Sequence, residues 1–179
     1  MLEFDNYMSP GRRGHLVGIG GVSMSSLAEV LVGMGLNITG SDMNEANPNV
    51  ISLREKGIKV FIGHHAENIG EDVEFVVRTA AVHDENPEIV RAHELGIPVF
   101  ERTQAWGAIS KDYSNALCIS GTHGKTTTTS MCTHILMAAE KDPTVMIGGT
   151  LPLLKAGHRI GHGNTIIMEA CEYYNSFLS

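Results

Sequence analysis

Apolar runs and segments with helical spacing alternate along the chain. The apolar runs before residue 112 predict strands at residues 15–19, 37–41, 58–62, 75–78 and 97–100. Helical spacing and Asn-Pro start signals predict helices at residues 24–33, 47–57, 86–96 and 103–109. Strand–helix units repeated in this way are typical of a mostly parallel sheet with helices on both faces, so the sequence predicts an α/β fold.

A polar stretch at residues 110–115 separates these units from the rest of the chain. We therefore predict two domains, at residues 1–112 and 113–179. The elements predicted in the second domain are a strand at 116–119, a helix from about 125 to 141, a strand at 143–147, a turn at 148–152, a loop holding His158 and His162, and a strand at 165–168.

The first predicted strand leads into a glycine turn, Gly18-Ile-Gly-Gly-Val-Ser23, and then into a helix. This is the pattern of a βαβ dinucleotide-binding unit with serine in place of the third glycine. In such a unit Gly18 makes the tight turn, Gly20 admits a pyrophosphate, and Asp42, 22 positions beyond Gly20 (42 − 20), contacts a ribose. The pattern does not distinguish NAD from a UDP-sugar.

Ligand sites in parallel α/β sheets lie at the carboxyl ends of the strands. Three segments of the first domain meet this condition: the glycine turn, the end of the second strand, and the small residues after the strand at 75–78. The predicted ligand contacts are Gly18, Ile19, Gly20, Gly21, Val22, Ser23, Asp42, Thr79, Ala80 and Ala81. The alternative is a glycine turn that only packs a helix against a strand.

A second glycine turn follows the run at 116–119 and leads into Lys125-Thr126 and a helix. Strand, glycine turn, Lys-Thr and helix is the layout of a phosphate-binding loop. Lys125 would reach the outer phosphates, and Thr126 would place a hydroxyl on Mg²⁺. The full pattern asks for glycine where this chain has Ile119. The predicted phosphate contacts are Gly121, Thr122, His123, Gly124, Lys125, Thr126 and Thr127.

Glu169 follows the last predicted strand, where a carboxylate can hold Mg²⁺ beside a bound nucleotide, directly or through water. The residue types alone leave this role and that of a solvated acidic loop equally open. The histidines, His158 and His162 among them, show no convincing metal-binding geometry.

Charge and cysteine content narrow the functional classes. A net charge of −7 argues against general nucleic-acid binding, which needs clustered Lys and Arg. Cys118, Cys132 and Cys171 are far apart and odd in number, which favours reduced thiols in a cytoplasmic protein. The first residues do not form a signal peptide, and no apolar run approaches the ~20 residues of a membrane span.

With two phosphate-type loops in tandem, the chain resembles the Mur ligases of bacterial cell-wall synthesis. The stretches that carry the resemblance are His15-Leu-Val-Gly-Ile-Gly-Gly21, Gly40-Ser-Asp42, Asn86-Pro87-Glu88, Gly96-Ile-Pro98, Gly121-Thr-His-Gly-Lys-Thr-Thr127 and Glu169-Ala-Cys-Glu172. Within the family it is closest to members that join L-alanine to UDP-N-acetylmuramic acid. The resemblance implies a Rossmann-like, mostly parallel sheet domain followed by the first part of a P-loop α/β ATPase domain.

The resemblance also implies the ligands and the reaction. The first domain would bind the UDP part of the muramic acid precursor instead of NAD. Residues 121–127 would bind ATP, Thr126 and Glu169 would serve Mg²⁺, and Lys125 and Glu169 would be the catalytic residues. The precursor's lactyl carboxylate would attack the γ-phosphate of ATP to give an acyl phosphate and ADP. The amine of L-alanine would then displace phosphate to form the amide.

Two departures from the family pattern matter. Cys171 stands where the family usually has aspartate, and a thiol cannot replace a carboxylate as a ligand for a hard cation. Family members are also much longer, so we expect this chain to bind the UDP ligand but to be inactive as a ligase. A second sheet that lacks strands would expose an edge, and we expect dimerisation through residues 113–179.

Three other interpretations remain open at this stage. The first is the recycling ligase that adds a whole tripeptide to the same UDP-muramic acid. The second is an NAD-dependent oxidoreductase built on the first βαβ unit, although the second glycine loop argues against it. The third is a nucleotide-binding module without catalysis.

Overall fold

The computed structural model describes residues 3–169 of the chain. It forms two compact units, and the division between them falls between Trp106 and Gly107. The boundary predicted from the sequence, after residue 112, lies a few residues further along the chain. None of the helices in residues 3–169 has the length and apolarity needed to span a bilayer.

The first unit is built on five parallel strands in the order β3-β2-β1-β4-β5. They are β1 (Arg13–Val17), β2 (Asn37–Asp42), β3 (Lys59–Ile62), β4 (Phe75–Arg78) and β5 (Val99–Glu101). The chain moves outward from β1 to β3 and then returns to the other side of β1 as β4. The strand order therefore reverses between β1 and β4, which is where α/β sheets of this kind bind ligands.

The helices of the first unit lie between these strands and after β5. They are α1 (Val22–Gly33), α2 (Pro48–Glu55), α3 (Pro87–Glu94) and α4 (Arg102–Lys111), the last of which crosses the division between the units. The Asn-Pro start signals are confirmed, because the side chains of Asn47 and Asn86 accept hydrogen bonds from the first turns of α2 and α3.

The core of the first unit includes a cluster that joins β1 and β4 to α3. Its buried members are Val17, Ile69, Val76, Ile89, Ala92 and Ile97. Burying a side chain such as Ile89 contributes roughly 1.5–3 kcal/mol relative to leaving it exposed. This packing holds the carboxyl ends of β1 and β4 in fixed positions.

The second unit has a four-stranded sheet in the order β6-β9-β7-β8. Its elements are β6 (Asn115–Ile119), α5 (Lys125–Ala138), β7 (Thr144–Leu151), β8 (Ala156–Arg159) and β9 (Thr165–Glu169). Strands β6, β9 and β7 are parallel, and β8 runs antiparallel to β7. The prediction of a mostly parallel α/β fold is therefore confirmed.

Two local predictions in the second unit are wrong. Residues 148–151 continue β7 instead of forming a turn, and residues 156–159 form β8 instead of a loop. Strand β8 pairs with β7, so that His158 lies opposite Met146. Glycine weakens the local signal for a strand, whereas the pairing with β8 stabilises the strand from outside the segment.

Candidate nucleotide-binding sites

The first glycine loop, residues 18–21, is a tight turn fixed to the end of β2. Gly18 has φ +77°, in the left-handed region that favours glycine. The N–H groups of Gly18 and Ile19 both donate to the carbonyl of Ser41, each at 2.9 Å. The Ile19 side chain is fully buried, so only its backbone can contact a ligand in this conformation.

Both backbone polar groups of Gly20, its N–H and its carbonyl, are hydrogen-bonded to side chains. Its N–H donates to Asp42 Oδ2 at 2.9 Å, and its carbonyl accepts from the side-chain amides of Asn47 (3.1 Å) and Asn49 (2.8 Å). A Cβ at this position would lie 2.6 Å from Asp42 Oδ2 and 2.7 Å from Asn47 Nδ2. Glycine is therefore required here by the protein itself, before any pyrophosphate is considered.

Asp42 closes this loop with both of its carboxylate oxygens. Oδ2 accepts from Gly20 N, and Oδ1 accepts from the N–H of Asn44 at 3.0 Å. The spacing to Asp42 suggested a ribose contact, and the structure gives the carboxylate a second task, which is to fix the glycine loop. Contact between Asp42 and a ligand stays a prediction.

The segment after β4 lies beside the glycine loop at the point where the strand order reverses. Val82 packs towards Gly18, with its Cγ2 3.9 Å from the position of a Cβ on Gly18. A cavity of about 440 Å³ opens here. It is lined by Arg78, Ala80, Val82, His83, Asp84, Glu85 and Glu101. Of the predicted segment 79–81, Ala80 lines this cavity.

Arg78 is a charged residue at this cavity that the sequence analysis did not single out. Its guanidinium pairs with Asp84 and, at 2.9 Å, with Glu101. Burial alone would lower the pKa of Arg78, but the hydrogen bonds to the two carboxylates raise it, so the guanidinium stays charged. Its position at the last residue of β4 was the available signal.

Helix α1 begins directly after the glycine loop. Gly21 is its N-cap residue and makes no side-chain cap, and the first turn carries no acidic side chain. The start of a helix carries partial positive charge and N–H groups that suit an anion. The loop and the helix start together can therefore receive a phosphate group.

The second glycine loop, residues 120–124, joins β6 to α5 and has a different character. Gly121 and Gly124 have φ +144° and +80°, and Gly124 caps α5 without a side chain. Within the described chain, no N–H group of residues 120–124 donates to a backbone carbonyl. The Lys125 ammonium folds back and donates to the Gly121 carbonyl. These N–H groups and the lysine are the parts with which a phosphate-binding loop holds its anion.

The two predicted magnesium ligands, Glu169 and Thr126, lie near two adjacent glycines of β7. Glu169 pairs with Ile119 in the register of β9 and β6, so it lies where β6 ends and the second loop begins. A Cβ on Gly148 would lie 2.8 Å from Glu169 Oε2, and one on Gly149 would lie 3.8 Å from Thr126 Cγ2. The sequence analysis missed Gly148, because it took residues 148–152 for a turn.

The donor set fits Mg²⁺. Glu169 Oε1 is buried and has no hydrogen-bond partner within residues 3–169, and Thr126 supplies a hydroxyl from the start of α5. Carboxylate and hydroxyl oxygens suit this hard cation, which keeps several waters and bridges to phosphates. Three or more His, Cys, Asp or Glu side chains do not cluster around a metal position in the described residues. Cys171 and Glu172 lie outside those residues.

Comparison with known proteins gives the family. The model of the Mur ligase family, catalytic domain, matches residues 13–114, which is more than half of the chain. The chain belongs to the Mur ligase family. The match includes the first glycine loop and the buried residues around it, and it ends before the second loop.

Similar Mur ligases extend over nearly the whole chain. The UDP-N-acetylmuramate–L-alanine ligase of Clostridium botulinum (strain Langeland) is 45% identical over 177 residues, covering 99% of this chain and 38% of its own length. The solved UDP-N-acetylmuramate-alanine ligase from Thermotoga maritima is 34% identical, with a TM-score of 0.81, and covers 88% of this chain and 37% of that one. This chain thus spans well under half the length of these relatives.

A second kind of Mur ligase has the same fold. The UDP-N-acetylmuramate:L-alanyl-gamma-D-glutamyl-meso-diaminopimelate ligase from Neisseria meningitides also has a TM-score of 0.81, at 27% identity. The match covers 91% of this chain and 53% of that one. The backbone alone therefore does not separate the two kinds of ligase, whereas sequence identity is higher for the alanine ligases.

Proposed function

We propose that this chain carries the precursor site and the ATP phosphate loop of a ligase that joins L-alanine to UDP-N-acetylmuramic acid. The observation that carries the proposal is the pair of glycine loops, each at the carboxyl end of a parallel strand, in a Mur ligase 45% identical to a relative named for that reaction. The proposed substrates are UDP-N-acetylmuramic acid, ATP and L-alanine, and the proposed location is the cytoplasm.

In this proposal the first unit binds the UDP part of the precursor. The diphosphate lies on residues 18–23, where the start of α1 favours an anion. Residues 79–81 and the cavity beside them take the adjoining part of the ligand. Arg78 stays charged there and offers a guanidinium for an anionic group of the precursor.

The second unit binds the triphosphate of ATP in this proposal. Lys125 leaves the Gly121 carbonyl and pairs with the outer phosphates, while the N–H groups of residues 121–124 surround them. Thr126 and Glu169 would hold Mg²⁺, which neutralises charge on the phosphates when it is bound. Both reactants, a carboxylate and a phosphate, are anionic, so catalysis depends on charge neutralisation and positioning.

The reaction then has two balanced steps. The lactyl carboxylate of the precursor attacks the γ-phosphorus, the bond to the β,γ-bridging oxygen breaks, and ADP leaves with that electron pair. The amine of L-alanine attacks the resulting acyl phosphate and expels inorganic phosphate. After the attack the nitrogen loses one proton to solvent or a base, and a secondary amide that keeps one N–H remains. Lys125 serves the first step by pairing with the transferred phosphate.

The tripeptide-recycling ligase remains the second candidate, because its solved relative has the same TM-score as the alanine ligase. The oxidoreductase interpretation is weaker. Each Asp42 oxygen already accepts a backbone N–H, from Gly20 and from Asn44, and an oxidoreductase has no need for Lys125 and Thr126 at the start of α5.

Calorimetric titration of this chain with UDP-N-acetylmuramic acid tests the proposal, with NAD as the control ligand. We expect saturable binding of the UDP-sugar and none of NAD. Binding of NAD alone would contradict the proposal and favour the oxidoreductase. Adding the tripeptide or L-alanine with ATP to a chain of full family length, and measuring ADP release, separates the two ligases.

We also propose that two copies of this chain associate through β6. The strand lies at one edge of its sheet, and all but its last residue are exposed. Its Leu117 is 40% exposed, and α5 exposes the apolar side chains of Met131 and Ile135. An uncovered strand edge offers backbone hydrogen-bonding groups to a second chain.

A further inference from the structure

A cluster of buried polar side chains in the first unit is centred on Glu88, which has no exposed surface. Its Oε2 accepts from Ser41 Oγ at 2.6 Å and lies 3.1 Å from His64 Nδ1. Its Oε1 accepts from Asn68 Nδ2 at 2.6 Å and lies 3.6 Å from His15 Nε2. One carboxylate thus links β1, β2, α3 and the segment that follows β3.

Glu88 is ionised at neutral pH in spite of its burial. Burial alone would raise the pKa of this carboxyl, but His15 and the hydrogen bonds from Ser41 and Asn68 hold the pKa below its usual value. Burying a charge costs free energy, and well-packed apolar groups of similar volume often stabilise a core as well. Stability alone therefore does not require a carboxylate at this position.

Ser41 connects this cluster to the first half of the first glycine loop. Its hydroxyl donates to Glu88, and its carbonyl accepts from the N–H groups of Gly18 and Ile19. Any shift of Ser41 therefore moves the acceptor that shapes the turn at Gly18.

Asn68 connects the cluster to the second half of the loop. Its amide donates both to Glu88 and, at 3.0 Å, to the carbonyl of Gly63. The Gly63 N–H in turn donates to the carbonyl of Asp42 at 2.9 Å, and the Asp42 carboxylate accepts from Gly20. Two lines of hydrogen bonds thus run from one carboxylate to different residues of the loop.

We infer that Glu88 is a positioning residue for the first glycine loop. Its carboxylate fixes the end of β2 through Ser41 and the segment 63–68 through Asn68, and these hold the loop, and with it the start of α1, in the geometry that a diphosphate needs. Glu88 is fully buried and acts only through its neighbours. The inference rests on the proposed function of this loop as the UDP-precursor site.

The substitution Glu88→Gln tests the inference with little change in shape. Glutamine presents one oxygen and one NH₂ group, so it cannot accept from Ser41 and Asn68 in their present arrangement, and one of the two hydrogen bonds must break or reverse its direction. We expect affinity for UDP-N-acetylmuramic acid to fall roughly tenfold. We also expect faster amide hydrogen exchange within residues 18–20. The control Glu94→Gln, on the exposed side of the same helix, should change neither.

The substitution Ser41→Ala serves as the second variant, because it removes the hydrogen bond between Ser41 and Glu88 but not the one between Asn68 and Glu88. It still tests the positioning role if Glu88→Gln does not fold. We expect faster exchange at Gly18 and Ile19 while Gly20 keeps its protection. Folded variants with unchanged exchange in the loop would overturn the inference. If the unaltered chain bound no UDP-sugar, the proposed function would be contradicted. The amide hydrogen-exchange rates would still show whether Glu88 positions the loop.

Discussion

Both glycine loops of this Mur ligase family member join a parallel strand to a helix, but different contacts hold them in place. The first loop is bound to the sheet through Ser41 and Asp42, and Gly20 is also held by two asparagine side chains. In the second loop, the Lys125 side chain makes a local hydrogen bond to the Gly121 carbonyl. The first loop thus has its shape before any ligand arrives, whereas among residues 3–169 no backbone carbonyl accepts from the N–H groups of the second loop.

This difference indicates how strongly the conformation of each loop depends on the residues around it. A loop fixed by distant residues loses little conformational freedom on binding, which favours affinity. It also fails when any of those distant residues changes. A loop with few internal bonds tolerates change around it, and its affinity comes from contacts made with the ligand itself. Three substitutions test this contrast, and a fourth tests the proposed association through the second unit.

The largest effect is expected for Gly20→Ala, which disturbs the conformation of the first glycine loop. The new Cβ would lie 2.6 Å from Asp42 Oδ2 and 2.7 Å from Asn47 Nδ2, so the loop must move. We expect a loss of about 2 kcal/mol in the free energy of unfolding and a roughly thirtyfold loss of UDP-N-acetylmuramic acid affinity. Denaturant titration and calorimetry measure the two. Gly107→Ala, where a Cβ meets nothing within 4 Å, is the control.

The second-largest effect is expected for Lys125→Ala, which removes the lysine of the second loop. ATP affinity should fall roughly tenfold because a charge-assisted contact with phosphate is lost, while the unfolding free energy should stay within about 0.5 kcal/mol of its value. Fluorescent-nucleotide titration and thermal melting measure the two. Lys141→Ala removes an exposed lysine just beyond α5 and should change neither. A large loss of stability with Lys125→Ala would erase the contrast between the loops.

A smaller effect is expected for Gly148→Ala, which sharpens the comparison within the second unit. The added Cβ would lie 2.8 Å from Glu169 Oε2 and must displace that carboxylate. We expect the gain in ATP affinity from added Mg²⁺ to shrink roughly fivefold. At the neighbouring Gly149 the same substitution meets Thr126 at 3.8 Å, an ordinary contact, and serves as the control. Equal effects at the two positions would argue against a role for Glu169.

The smallest effect is expected for Leu117→Lys, on the uncovered edge of the second sheet. A charge on an edge strand opposes pairing with another chain, so the dimer dissociation constant should rise roughly threefold. Sedimentation velocity over a concentration series measures it. Ile51→Lys places the same charge on the exposed face of α2 in the first unit and should leave association unchanged. Monomer alone at every concentration in the unaltered chain would contradict the proposed association.

The sequence predicted the order of strands along the chain and the positions of both glycine loops. These features depend on local signals: apolar runs, Asn-Pro helix starts and glycines before a helix. It did not predict β8, because that strand is stabilised by pairing with β7 and has little local signal of its own.

The reasons behind individual site residues were harder to predict than their positions. Gly20 looked like a residue that makes room for a ligand, but its nearest neighbours are Asp42 and Asn47. The roles of Arg78 and Glu88 depend on partners far away in the sequence, which come together only when the sheet forms. A linear pattern contains no record of such contacts.

In the proposed ATP site, the contact between Lys125 and Gly121 would make binding an exchange of partners and not a simple addition. A ligand must replace the bond that the ammonium already has, so a weak anion gains little by displacing the carbonyl. A triphosphate offers several charged oxygens at once and can outcompete one neutral acceptor. We therefore expect the folded-back lysine to favour polyphosphates over ordinary cellular anions at the proposed ATP loop.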